Sequence, residues 1–392
     1  KNVKGVNLKW DEVIVARSWK DTMTIKPRPI INFKPELLAR MAVDARYAAD
    51  ALHQILSFDN IYYIGEVAVR FVYASGYTEP QLSKLMNAML EVQEMVILIA
   101  GDDSLLFAGR YKDLCKSLFI EGDQSKFDHT QGKGPFGSYL VTWGMVIALA
   151  EEFIKWVQDH VSCSYRVVKS DWVFTFLAGE QMPSGHNMTT NLNSMSTLGM
   201  FIYFIFKIQT PKLGGWTLQE VGGLLGFEVK TRLSDDPEQV TFLKGWWHYT
   251  LGNYYVWYPL PSACLKLGKV LTNPLRIAKT KDYTLAVLEC AYALARSPGV
   301  IPIEYPILGP FIAKLLWIGV DGNVELPTKF KRIAVKDYHK INKINFLNAI
   351  EKRYSISKQD VLRMEKQIHQ IYKLPAFISD PGFNKLRNID YC

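Results

Sequence analysis

Apolar positions recur at helical spacing from Glu36 to Leu56 and again from Thr78 to about Gln93. The second helix is opened by Thr78 as a cap and by Pro80 in its first turn. Before them, Lys20–Pro35 (KDTMTIKPRPIINFKP) is basic and punctuated by prolines, which predicts an extended strand. After them comes a continuous apolar run, Met95–Ala100, then Gly101-Asp102-Asp103-Ser104, then the apolar Leu105–Gly109. Apolar run, short polar turn and apolar run predict a β-hairpin. A further strand ends at Asp123, and a long helix is expected over Gly137–Val161. Tyr165–Lys169 and Trp172–Gly179 have strand character, and Asn187–Ile208 has that of a helix. Beyond Tyr258 the pattern is mostly helical, with breaks at Pro274, at Ser297-Pro298-Gly299 and between Pro302 and Pro310. The whole is an α+β arrangement: a basic extended start, a mixed centre and a helical tail.

Composition narrows the class. Hydrophobic residues at 48% and charged residues at 21% exclude a disordered or fibrous chain, and 392 residues suffice for several sub-domains. The net charge of +8 is unevenly spread: Pro261–Cys392 holds 21 Lys plus Arg against 11 Asp plus Glu, whereas the remainder is slightly acidic. Such a tail suits a polyanion backbone, although a solvated basic face has the same composition. Five scattered cysteines, without a CxxC pair, point to neither a zinc site nor a disulfide framework, and so to a reducing compartment. The longest uncharged apolar run, Gly199–Phe206, is far below the ~20 residues of a membrane span, so none is expected. The chain opens on Lys1 without a leader-like segment and is expected to belong to a longer protein.

Four segments carry candidate chemistry. Asp102 and Asp103 at the hairpin tip are adjacent carboxylates between apolar strands; they repel each other unless a hard cation such as Mg²⁺ binds them. A polar turn would also explain them. Asp123 and Asp128, in EGDQSKFDHTQG, lie where a strand gives way to a loop. There Asp123 could face the hairpin carboxylates and complete a two-metal site; two solvated loop acids are the plainer alternative. In SGHNMTTNLN, Ser184 and Gly185 form a turn, and Thr189 and Asn193 stand at i and i+4 on one helix face, able to reach a ribose. Lys20, Lys26 and Arg28 line the proline-stiffened strand as cations suited to a triphosphate.

Together these segments resemble the motifs of viral RNA-dependent RNA polymerases. KPRPII resembles the basic motif of the fingers, Asp123/Asp128 palm motif A, Ser184/Gly185/Thr189/Asn193 motif B, and Gly101-Asp102-Asp103 motif C. Gly226–Lys230 and Thr241–Trp247 are similar to motifs D and E. The order departs from the usual one, because the GDD hairpin precedes Asp123 by 21 residues. A second acidic string, Ser234-Asp235-Asp236, has charged flanks and an immediate proline, and does not suit a buried hairpin. The C-A-B order resembles the permuted palms of permutotetraviruses and, more distantly, birnaviruses.

That resemblance implies a right-hand fold of fingers, palm and thumb with permuted palm motifs. It divides the chain into 1–60 fingers, 61–128 palm, 129–180 a fingers insertion, 181–258 palm and 259–392 a basic helical thumb. It implies Mg²⁺ or Mn²⁺ held by Asp102, Asp103 and Asp123, and a proton donor in Lys230. Lys20, Lys26 and Arg28 would bind the triphosphate; Asp128, Ser184, Gly185, Thr189 and Asn193 would hold the nucleotide and template. Phe242, Leu243 and Lys244 would steady the primer end. Partners would be template and nascent RNA, ribonucleoside triphosphates and, by analogy with permuted families, a protein primer. The setting would be a replication complex in the host cytoplasm, or the virion. A reverse-transcriptase-like palm polymerase and a non-catalytic RNA-binding protein of the same fold remain the alternatives.

Overall fold

The computed structural model describes residues 3–9, 28–33, 35–125, 127–130, 164–169, 172–177, 188–267, 274–276, 281–296, 301–318, 341–373 and 378–390. The chain forms two compact units: residues 1–77 with 89–236, and residues 78–88 with 237–392.

The first unit is built on a six-stranded sheet. Its strands are β3 (Tyr62–Ile64), β4 (Val67–Tyr73), β5 (Met95–Ala100), β6 (Asp103–Phe107), β7 (Phe119–Ser125) and β10 (Glu228–Ser234), in the spatial order β10-β7-β6-β5-β4-β3. Only β4 and β5 pair in parallel; the other neighbours are antiparallel. All six residues of β5 are buried, as a strand paired on both edges and covered on both faces demands. The polar exception in β4 is Arg70, whose guanidinium donates to the Phe58 carbonyl at 2.7 Å and meets Glu94 at 3.4 Å.

Helices α1 (Pro35–Ile55), α3 (Thr189–Ile208) and α4 (Leu218–Leu224) supply side chains to the core against one face of this sheet, among them Leu52, Leu192, Phe201, Phe204, Leu218 and Val221. A capping box starts α4: Thr217 Oγ1 accepts the Glu220 N–H at 3.2 Å, and Glu220 accepts the Thr217 N–H at 2.9 Å. Gly222 lets this helix close on the sheet, since a Cβ there would lie 2.3 Å from Val229 Cγ2. Two further antiparallel pairs, β1 (Val3–Lys9) with β2 (Arg28–Phe33) and β8 (Ser164–Lys169) with β9 (Trp172–Leu177), belong to the same unit. The expected strands and helices around 28–55, 95–125 and 164–208 are thus present, whereas the helix expected over Gly137–Val161 lies outside the described residues.

The second unit combines a three-stranded sheet, β11 (Thr241–Phe242), β12 (Gly245–Tyr249) and β13 (Tyr255–Pro259), with helices. These are α5 (Tyr283–Arg296), α6 (Leu308–Ile318), α7 (Lys343–Tyr354), α8 (Lys358–His369) and α9 (Pro381–Asp390). Residues 78–88, most of α2 (Glu79–Glu91), join it: the Trp247 indole N–H donates to the Leu82 carbonyl at 2.9 Å, and Asn87 bridges to both backbone groups of Tyr255. Trp246, Tyr258, Tyr305, Phe346 and Tyr354 form its aromatic centre.

An ionic latch ties α8 to α9. Arg363 grips both oxygens of the buried Asp380 at 2.7 and 3.1 Å and meets Asp360 at 2.6 Å, while Asp380 also accepts the Gly382 N–H at 2.8 Å. Hydrogen bonds from Ser357 and Arg363 lower the Asp360 carboxyl to about 2, and the Arg363 bond lowers Asp380. Depressed folded-state values mean that this stabilisation is complete above the ordinary carboxylate range and is lost as pH falls through the folded-state values. Thermal melts are therefore expected to show the second unit weakening between about pH 4 and pH 2, and weakening less in Arg363→Met. An equal acid sensitivity in that variant would remove the latch from the explanation.

Candidate functional site

The hairpin turn between β5 and β6 is two residues long, Gly101-Asp102, closed by the pair Ala100↔Asp103. Gly101 has φ +71°, and Asp102 is not among the residues with positive φ, which is the pattern of a type II′ turn with glycine first. The glycine is thus required by the turn, and it leaves Asp102 at the tip and Asp103 as the first residue of β6.

Register then assembles the acids. Asp103 on β6 lies directly opposite Asp123 on β7, and Asp123 lies directly opposite Lys230 on β10. Directly paired residues on neighbouring antiparallel strands share a face, so the three side chains form one row. The next row on that face, two residues along, is Leu105, Glu121 and Arg232. Alternation sends Gly122, Gln124 and Val229 to the opposite face, where Leu218 and Thr197 on the helices meet them. Asp123 and Lys230 are exposed and Asp102 and Asp103 half-buried, so the row itself reaches solvent, whereas Leu105 in the next row is fully buried.

Helix α3 fastens the turn from below. Ser194 Oγ accepts the Gly101 N–H at 2.8 Å and donates to the Thr190 carbonyl at 2.7 Å. Thr197 Oγ1 donates to the Gly101 carbonyl at 2.8 Å and to the Asn193 carbonyl at 3.0 Å, and accepts from Gln124 Nε2 at 2.8 Å. The Gln124 N–H in turn reaches the Asp102 carbonyl at 3.3 Å. Ser194 and Thr197 have no exposed surface, and Gln124 is nearly as deep. The helix is itself anchored by Asn191, which accepts from the Tyr73 phenol at 2.8 Å and donates to the Ala45 carbonyl at 3.0 Å. Burial pushes the Tyr73 hydroxyl above its ordinary value, which keeps it a donor.

The other expected site residues are placed as follows. Thr189 opens α3, half-buried, and Asn193 is buried one turn further on the same stripe. Asp128 falls in a short helical turn, Phe127–Thr130, its side chain outside the described residues. Arg28 is the first residue of β2, again without a described side chain; Lys20, Lys26, Ser184 and Gly185 lie outside the described residues altogether. Phe242 ends β11 and pairs with Gly245, and Leu243 and Lys244 form the two-residue turn between β11 and β12 in the second unit. Leu243 and Lys244 both adopt left-handed backbone, at φ 56° and 60°, a conformation that costs roughly 1–3 kcal/mol per non-glycine residue. The Trp257 indole donating to the Phe242 carbonyl at 3.2 Å and the Leu260 N–H donating to the Lys244 carbonyl at 3.0 Å hold it there.

The alternative acidic string lies elsewhere. Ser234 pairs with Phe119, at the end of β7 remote from Asp123, and Asp235 accepts the Leu118 N–H at 2.8 Å and Lys112 at 2.9 Å. It locks a loop.

The two directly facing carboxylates of the row offer oxygen donors that suit a hard divalent cation. Among the described residues no group of three or more His, Cys, Asp and Glu side chains is arranged ready to hold a metal, and no helix is long and apolar enough to cross a membrane. The positioning hydroxyls of Ser194 and Thr197 are not singled out by any motif. Their signal was seven Ser, Thr and Asn among the nine residues 189–197, ahead of an apolar second half of the helix.

No family model and no curated protein matches the sequence. Solved structures do match in fold. One is that of the RNA polymerase VP1 from infectious pancreatic necrosis virus, with TM-score 0.52 at 12% identity, over 93% of this chain and 48% of that one. Another is the birnavirus VP1–VP3 complex, with TM-score 0.50, 12% identity and the same coverage. The likeness is one of fold, that of viral RNA polymerases, and the chain spans about half the length of these matched structures.

Proposed function

We propose that the chain is the catalytic core of an RNA-directed RNA polymerase whose palm motifs run in the order C-A-B. The observation that carries the reading is the row Asp103–Asp123–Lys230. A strand more than 100 residues further along the chain joins the hairpin and its neighbour, so that Asp103, the acid of the following strand and a lysine stand side by side, with Asp102 next to Asp103 at the tip of the turn. The chain order is compatible with this because β6 and β7 are neighbours in the sheet, whichever of them comes first.

In this reading Asp102, Asp103 and Asp123 hold divalent cations, Mg²⁺ or Mn²⁺. Such ions supply Lewis-acid activation of a primer 3′-hydroxyl and neutralise charge on the leaving pyrophosphate. Lys230, directly opposite Asp123 across the sheet, gives a proton to the departing pyrophosphate in this reading. Lys20, Lys26 and Arg28 bind the triphosphate. Asp128, with Ser184, Gly185, Thr189 and Asn193 around the start of α3, contacts the ribose and template; a 2′-hydroxyl contact there selects ribonucleotides. Phe242, Leu243 and Lys244, in a turn stiffened by two left-handed residues, steady the primer end. The basic tail holds RNA by its backbone, so binding should weaken with salt. Viral genome replication in the host cytoplasm, or in the virion, is the corresponding role.

Primer extension on an RNA template tests this, with Mg²⁺ or Mn²⁺ and with ribonucleotides or deoxyribonucleotides in parallel. Template-dependent ribonucleotide incorporation, lost in Asp102→Asn and in Asp123→Asn, is expected. Preference for deoxyribonucleotides would favour a reverse-transcriptase-like enzyme. RNA binding without incorporation in either metal would favour a polymerase fold kept for binding.

A further inference from the structure

Thr189, Asn193 and Thr197 follow at four-residue intervals and so form one stripe along α3. The outer end of the stripe is where the polymerase reading puts the ribose, and the inner end is bonded to the acid-bearing strands. At that inner end a single hydroxyl serves two strands: Thr197 Oγ1 donates to the carbonyl of Gly101, the residue before Asp102, and accepts from the side chain of Gln124, the residue after Asp123. The backbone link between the same two places is longer, 3.3 Å from Gln124 N–H to Asp102 C=O. A hydroxyl has one proton and two lone pairs, and this one uses its proton on the Gly101 and Asn193 carbonyls and a lone pair on Gln124. Ser194 holds the other side of Gly101 from one turn earlier.

We infer that Thr197 is a positioning residue of the site: its hydroxyl sets the placement of the Asp102–Asp103 turn relative to Asp123. It also ties that placement to the helix that carries Thr189 and Asn193. Removing the hydroxyl frees the turn to shift against β7 while the sheet and the helix remain. The acids stay in the protein, but no longer in the geometry that a shared cation requires. The activity part of this inference rests on the polymerase reading; the cation part does not.

Thr197→Val, in the full chain, keeps the side chain's shape and removes the hydroxyl. The variant is expected to fold, by circular dichroism and thermal melt. Its dissociation constant for Mn²⁺, read by electron paramagnetic resonance of the free ion, should rise about 10–100-fold. Its kcat should fall about 100-fold with the nucleotide KM little changed, and Thr197→Ser should restore both. A Val variant with the wild-type Mn²⁺ affinity overturns the inference, whatever its melting temperature or kcat, because a purely structural bond would lower stability without moving the ion. If Val does not fold, Gln124→Met, which removes one arm of the link, carries the same readouts, and unchanged Mn²⁺ affinity there overturns it. A wild-type chain that binds Mn²⁺ but incorporates no nucleotide sinks the polymerase reading and leaves the Mn²⁺ comparison to decide the role of Thr197. A wild-type chain that binds no Mn²⁺ overturns both.

Discussion

Asp103→Asn is expected to abolish nucleotide incorporation and the thermal stabilisation by Mn²⁺ together, while the metal-free melting temperature stays at or above that of the wild type. The two effects have opposite origins. Asp103 and Asp123 are a directly opposed cross-strand pair, and like charges so placed destabilise a sheet by a few tenths to about 1 kcal/mol. Asn is nearly the same shape and removes that repulsion. A cation needs the charge that Asn lacks. At 100 times its dissociation constant a bound ion stabilises the folded state by about 2.7 kcal/mol, and this increment should vanish in the variant. Incorporation should fall by at least about 10²–10³-fold, the usual consequence of deleting one preorganised group that stabilises transition-state charge. Primer extension and melts with EDTA or Mn²⁺ check both halves. Retained Mn²⁺ stabilisation with retained incorporation would remove Asp103 from the cation site and shift the weight to Asp102.

Trp246→Ala should produce the largest loss of stability in the second unit, about 3–5 kcal/mol. Trp246 has no exposed surface, and its ring meets His248, Phe346 and Tyr354 edge-on at 4.5 to 6.2 Å. Its indole N–H donates to the Tyr305 hydroxyl at 2.9 Å, and that hydroxyl donates to the Pro259 carbonyl at 2.5 Å. Truncation therefore opens a cavity at the aromatic centre and also leaves the buried Tyr305 oxygen short of a donor. Trp246→Phe refills most of the volume and should lose distinctly less. Denaturant unfolding followed by circular dichroism separates the two. Equal losses would show that the hydrogen-bond chain, and not the packing, carries the effect.

Much of the site was legible in the sequence where local chemistry dictates local form. The hairpin at 95–107 announces itself because two apolar runs flank a glycine-aspartate turn, and the structure forms it with the glycine at positive φ. Helices at 35–55 and 189–208 follow from apolar spacing, with bounds within a residue or two of those expected. The strand VAVRFVY at 67–73 was missed, although it is apolar throughout apart from Arg70; a charge at its centre masks the run until Phe58 and Glu94 are seen to receive it. That Asp123 would face the hairpin carboxylates was legible; that Asp103 is its direct partner and that Lys230 stands on its other side was not. The juxtaposition of Asp123 with both Asp103 and Lys230 depends on register between strands more than 100 residues apart in one case. The hydroxyls of Ser194 and Thr197 are likewise interpretable only once the turn is seen to sit on them.

The detour of the chain through residues 78–88 has a bearing on how the protein is made. Those residues complete the second unit, yet they leave the ribosome ahead of the strands that receive them. At 5–20 residues per second, the roughly 150 residues in between take on the order of 10–30 s to synthesise. During that interval Leu82, Leu85 and Met86, all buried in the finished protein, have nothing of their own unit to cover them. A nascent chain halted before Trp247 emerges should therefore display this apolar stripe to chaperones. A fragment starting at Pro237 should fold poorly unless the missing helix is added back as a peptide.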